Sequence, residues 1–126
     1  MKKELLAILF LAAILVACLI NIRCITNLTD DLTSLVDDAE KQSTLSNWEG
    51  AAKDIDDAFD LLDRRSTYTG VALSLDDIDQ ITDSLDLIMG HIKAQNPARV
   101  AAAVHLAKVR LDSIATREQV SLESVF

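Results

Sequence analysis

Glycine and proline are scarce in this chain, with three Gly and one Pro in 126 residues. Turns and loops draw on both, so little of the chain is available for irregular structure. Aromatic residues are also few, at 4%, and strands are built largely from aromatic and β-branched side chains. Two Cys and two scattered His form no tight Cys/His cluster, which argues against a structural zinc site. No Ser-centred elbow, phosphate-binding loop or Cys/His nucleophile pair occurs, so neither an enzyme nor a cofactor is expected. Basic residues are outnumbered by acidic ones, 12 to 20, for a net charge of −8. A chain of that sign is not expected to bind nucleic acid.

What is abundant is apolar and helical in pattern. The length suits one small domain. Residues 5–20, LLAILFLAAILVACLI, form an unbroken run of 16 apolar residues. Asn21 and Ile22 extend the stretch to 18 residues before Arg23, which as a helix spans about 27 Å. Lys2, Lys3 and Arg23 can reach the headgroups at either end. The short N-terminal flank carries Lys2 and Lys3, against only Arg23 and Lys41 in the first 20 residues beyond the span. The positive-inside rule then places the N-terminus in the cytoplasm and the rest outside, anchored in the cell membrane through residues 5–22.

A secretory signal is the competing reading of this run, but no small-x-small cleavage site follows it. Leu15-Val16-Ala17-Cys18 has the form of a bacterial lipobox, with Cys18 as the lipidated residue; the alternative is a small membrane residue without modification. The apolar residues after Cys18 argue for the second. Either route attaches the remainder to a membrane, outside the cytoplasm. Cys24 lies about 9 Å of helical rise from Cys18, too far for an intrachain disulfide. Ala13 and Ala17 have the small-xxx-small spacing of paired membrane helices.

Beyond the anchor, four segments share one rhythm. Ile25, Leu28, Leu32, Leu35 and Ala39 step by 3 and 4. Trp48, Ala52, Ile55, Phe59 and Leu62 do the same, as do Leu75, Ile78, Ile81, Leu85, Ile88 and Ile92. The last set is Val100, Val104, Ala107, Leu111 and Ile114. A mean step near 3.5 is that of helices packed side by side at a small angle. Breaks fall where helix ends are expected: Ser46 with Glu49 has capping-box spacing, Gly70 can close the second helix, Ser74 precedes Asp76-Asp77, and Asn96-Pro97 starts the fourth. The expected fold is all-α: an N-terminal transmembrane helix that continues into an antiparallel up-down bundle of three to four helices. Residues 1–23 are read as membrane anchor or lipoprotein-type signal, 24–117 as the bundle, and 118–126 as a C-terminal tail packing back on it.

The candidates for function are charges and one aromatic. Residues 30–86 hold 16 acids against 4 bases, whereas residues 97–117 carry a balance of +3. The fourth helix either lies beside acidic neighbours in the bundle or leaves an acidic face for a basic partner or cations. Asp56, Asp60 and Asp63 share one helix face, and so do Asp79, Asp83 and Asp86. Such carboxylates are chiefly a solvated surface; a cation- or small-ligand-binding module is the alternative, without an EF-hand pattern to support it. Trp48 either fills the bundle end or anchors a partner. His91 and His105 have no second ligand at helical spacing and read as surface or boundary residues.

The layout resembles an uncharacterised bacterial family of short membrane-anchored helical proteins, domain of unknown function family 4363. The residues that carry the likeness are the Lys start with its apolar run, Trp48-Glu49 with Ala52, the segment 75–92, and the ending Ser121-Leu122-Glu123-Ser124-Val125-Phe126. Membership implies the fold and the anchoring and assigns no activity. The expected function is a non-enzymatic, extracytoplasmic helical bundle of the bacterial envelope, structural or protein-interacting, with an envelope protein or a second copy as partner.

Overall fold

The computed structural model describes the backbone of residues 1–68 and 74–125, and the side chains of residues 1–65 and 74–117. It contains four helices: α1 (Lys2–Thr44), α2 (Trp48–Tyr68), α3 (Leu75–Lys93) and α4 (Pro97–Val125). No strand occurs among the described residues. The helices pack in a ring in which α1 lies between α2 and α4, and α3 closes the other side. Contacts between neighbours fix their directions. Asp31 meets Arg65 and Asp37 meets Lys108, while Ser84 meets Arg110 and Asp77 meets Arg117. In α3 and α4 one number falls as the other rises, so that pair is antiparallel; the short α1–α2 turn makes the first pair antiparallel as well.

The core contains Ile25, Leu28, Leu32, Val36 and Ala39 from α1, with Ile55 and Leu62 from α2. The other two helices add Ile81, Leu85, Ile88 and Ile92, and then Val100, Val104, Ala107, Leu111 and Ile114. Most of these are the residues of the 3.5 rhythm. The departures have one cause. In a ring of four, each helix has two neighbours and must bury a face wider than a single seam. Val36, Ala51 and Ala58 therefore lie fully inside, while Leu35, Ala52 and Phe59 sit half-buried at the edges. Leu75, expected in the stripe, is 75% exposed in the first turn of α3.

Buried hydroxyls are satisfied within their own helices. Ser43 donates to the Ala39 carbonyl at 2.8 Å and Ser84 to that of Gln80 at 2.8 Å, the i−4 pattern open to these side chains.

The two described turns are copies of each other. Ser46 N–H donates to the Ser43 carbonyl and Asn47 N–H to that of Gln42. Gln95 N–H and Asn96 N–H do the same to Ile92 and His91. Both are Schellman closures with a left-handed residue, Ser46 at φ 59° and Gln95 at φ 53°. The next residue, an Asn each time, then caps the following helix: the Asn47 side-chain oxygen accepts from Gly50 N–H at 3.1 Å and that of Asn96 from Arg99 N–H at 3.2 Å. The cap of α2 is thus Asn47 and not Ser46, because Ser46 is consumed by the left-handed turn. Gly50 makes room for it, since a Cβ there would stand 2.5 Å from Asn47 Nδ2. Ser74 caps α3 as expected, accepting from Asp77 N–H at 3.1 Å.

A left-handed conformation costs an L-residue about 1–2 kcal/mol that glycine avoids, offset in part by glycine's extra freedom when unfolded. Ser46→Gly and Gln95→Gly should each stabilise the bundle by about 0.5–1 kcal/mol. Thermal melts followed by circular dichroism would check this; a drop in melting temperature for both would contradict the turn geometry.

Gly70 lies outside the described residues. α4 continues to Val125, through positions the sequence reads as a tail, because no Gly or Pro follows Pro97 to stop it. The tail residues expected to pack back, Val120, Leu122, Val125 and Phe126, have side chains outside the described residues.

Candidate membrane anchor and interaction surface

The first burial in α1 is at Ile25. Before it the helix projects from the bundle, with side chains such as Leu5 (64%), Phe10 (70%) and Leu11 (69%) open. Among the described residues this is one helix long and apolar enough to cross a membrane. A continuous apolar surface of this length far exceeds the few hundred Å² that a water-exposed protein surface normally carries in one patch. Cys18 is a free, exposed thiol on that surface, and Cys24 is a free thiol half-buried against the edge of the core.

The predicted acidic positions all face outward. Asp56, Asp60 and Asp63 are exposed on α2, and Asp79, Asp83 and Asp86 on α3. Asp60 meets Arg64 at 3.5 Å, an open i,i+4 pair that adds little stability. Among the described residues no three His, Cys, Asp or Glu side chains converge to hold a metal ion. Carboxylates spaced along a helix point away from its axis, so one face of one helix does not enclose a cation. Trp48 is half-buried and packs on the core at the turn end of α2.

Other acids bind α4 into the bundle. Lys108 reaches Asp37 on α1 at 2.7 Å, and Arg117 reaches the buried Asp77 on α3 at 2.6 Å. Arg110 donates to Ser84 Oγ at 2.7 Å. The hydrogen bond and the charge of Asp37 raise Lys108 above its ordinary value. Lys108 and Arg117 thus meet carboxylates of neighbouring helices, while the acidic faces of α2 and α3 also stay open.

One acidic contact was not legible in the sequence. Asp54 on α2 faces Asp38 on α1, with one carboxylate oxygen, Oδ2, buried and without a hydrogen-bond partner. Burial is the largest cause that pushes its carboxyl up, to about 7; the Asp38 hydrogen bond and charge, then the Asp57 charge, act in the same sense against Lys53. Two carboxyls can hydrogen-bond only while one holds a proton. The contact follows from the hairpin: both residues stand eight positions from Ser46.

A family model, Domain of unknown function (DUF4363), matches residues 19–125. The chain belongs to this family. No curated protein and no solved structure matches it. The DUF4363 match covers the whole bundle, with Trp48, all six outward Asp and the Asp38–Asp54 pair, and reaches back only to the end of the apolar run. Cys18 and the residues before it lie outside the DUF4363 match.

Proposed function

We propose that this DUF4363 protein is a non-enzymatic, single-pass membrane protein whose bundle stands outside the cytoplasm as a structural or protein-interaction module of the bacterial envelope. The observation that carries the reading is the N-terminal half of α1, apolar and unburied while the same helix continues into the core. The flanking charges, with Lys2 and Lys3 ahead of the span, favour a cytoplasmic N-terminus. The core itself is close-packed: between Leu32, Ile81, Leu85 and Leu111 the void measures about 10 Å³, room for one water at most. An envelope protein or a second copy is the partner, and the bilayer holds the chain through residues 5–22.

The test is fractionation of cells that carry the full chain with a tag at each end. The protein should stay in the membrane pellet through an alkaline carbonate wash and leave it in detergent. Protease added outside an opened envelope should remove the C-terminal tag and spare the N-terminal one. Phe10→Arg with Ile14→Arg adds about 5–7 kcal/mol to membrane insertion on translocon scales and should move most of the protein to the soluble fraction. A wild-type chain found soluble, or with its C-terminus protected, would overturn the reading. Cys18→Ser separates the two kinds of anchor: fatty-acid labelling and loss of the N-terminal tag in the wild type, both abolished by Cys18→Ser, mean a lipoprotein, whereas an unlabelled chain that keeps its N-terminal tag in both means a spanning helix.

A further inference from the structure

α4 runs down beside α1 toward the apolar half. Leu32 and Leu111 border one void, while Lys108 reaches up to Asp37, so residue numbers fall on one helix as they rise on the other. Val125 lies 14 residues past Leu111 and 17 past Lys108, which brings it level with α1 residues 18–20. The other two helices stop short of this depth. Asp38 beside Asp54 and Asp31 beside Arg65 set Tyr68, where α2 ends, level with α1 residues 24–28. Asp77 beside Arg117 sets Leu75, where α3 begins, opposite position 119 of α4. The last turns of α4 therefore overhang α3 by about 9 Å and are paired, among the described helices, with α1 alone. Burial on α1 agrees: Asn21, Ile22 and Cys24 are half-buried, whereas Leu19 and Ile20 are 50% and 58% open.

We infer that residues 118–125 of α4 make a second contact with the bilayer, resting in the headgroup layer beside the end of the span, with Leu75 at the upper edge of that layer. The inference rests on the anchoring reading, which sets the hydrocarbon boundary near residues 20–22 of α1. Headgroups extend about 5–8 Å beyond that boundary, and depth selects the occupant. A helix level with the end of the span meets lipid whichever way the bundle is turned. The composition suits that depth: Val120, Leu122 and Val125 interleave with Ser121 and Ser124, and Glu118 and Glu123 are the charged residues. The headgroup layer takes such a mixture, whereas hydrocarbon rejects its charges. With two carboxylates in the stretch and −8 on the chain, the lipid it fits is zwitterionic and not anionic. Leu75, 75% open in the first turn of α3, enters the same layer. The second contact stands about 8–10 Å to one side of α1. A lone spanning helix is free to spin about its own axis, and a support beside it holds the α4 side of the bundle down on the membrane.

The test is fluorescence quenching of the full chain in phosphatidylcholine and phosphatidylethanolamine vesicles, with Cys18→Ser and Cys24→Ser removing the native thiols. Single cysteines carrying a small fluorophore report depth: Ser121→Cys and Ser124→Cys on α4, Ile14→Cys within the span, and Ser46→Cys at the distal turn. Each serine exchange alters one atom, and either α4 position alone suffices if the other disturbs the helix content. Lipids with a nitroxide on the headgroup or high on the acyl chain should quench positions 121 and 124 about fivefold more than position 46, and a nitroxide deep in the chain should act chiefly on position 14. Quenching at position 14 with none at 121 and 124 beyond that at 46 overturns this inference and leaves the anchoring intact. An unquenched position 14 removes the anchoring reading and the second contact with it.

Discussion

Leu32→Ala is expected to lower the unfolding free energy by about 3–4 kcal/mol, the middle of the range for such truncations. Leu32 is fully buried where α1 meets α3 and α4. It already borders the small void with Ile81, Leu85 and Leu111. Removing its isobutyl group enlarges that void, and the helices around it are held apart by well-packed layers above and below. Collapse is limited, so the cavity penalty adds to the lost transfer energy. For a bundle of this size the melting temperature should fall by about 15–25 °C. Circular dichroism melts of the full chain in detergent give the number. Leu32→Met, which conserves volume, should cost less than about 1.5 kcal/mol. Equal losses from the two variants would show that the site is not close-packed.

Asp54→Asn should make the bundle more stable at pH 8 and flatten the pH dependence of its stability between pH 5 and 8. The sign follows from the direction of the shift. The folded chain holds the Asp54 proton up to about 7, whereas the unfolded chain gives it up near the ordinary carboxylate value. Native protein therefore binds the proton more tightly. This contribution is fully present below about pH 4 and is lost as pH rises through about 7. Above that, the bare carboxylate faces Asp38 and Asp57 with only Lys53 to offset them. Asparagine keeps the shape, removes the charge and can donate an N–H to Asp38. The gain at pH 8 should be about 1–2 kcal/mol, less than the whole shift implies because the pair is partly open to solvent. Melts of both proteins at pH 5 and pH 8 suffice, since contributions from other groups are common to both and cancel. A wild-type chain with the same advantage at both pH values would rule out a shared proton.

The helices and most of the core were legible because their cause is local. Ile25, Leu28, Leu32 and Ala39, or Val100, Val104, Ala107, Leu111 and Ile114, repeat at a spacing only a packed helix needs. The choice between Leu35 and Val36, or Ala52 and Ala51, was not local. It depends on how wide a face two neighbours cover together. The α2 cap was misplaced by one residue for a similar reason: Ser46 and Asn47 both suit a cap, and only the left-handed closure of α1 decides between them. The α4 cap, with proline beside it, carried an unambiguous sign. Among the acids, sequence distinguished a crowded region from a basic one. It could not say that Asp77 is buried against Arg117, or that Asp54 meets Asp38, since those contacts are set by register between helices. The outward Asp triplets were visible for the opposite reason: a helical repeat alone puts them on a surface.

The unbroken course of α1 has a mechanical consequence. A 43-residue helix without Gly or Pro joins the apolar half to the bundle as one stiff mast, with no hinge at residues 21–24. Its second half, from Ile25 onward, lies in the core side by side with α2 and α4, so the bundle cannot swivel on its base. Any lean of the N-terminal half within a bilayer is passed on undiminished. The bundle stands about 30 Å tall, and a lean of the usual ~20° for a spanning helix carries the tip that holds Ser46 and Gln95 sideways by about 10 Å. On the anchored reading, the angle that Lys2, Lys3 and Arg23 give the N-terminal half at the headgroups thereby sets the height and the bearing of the distal turns.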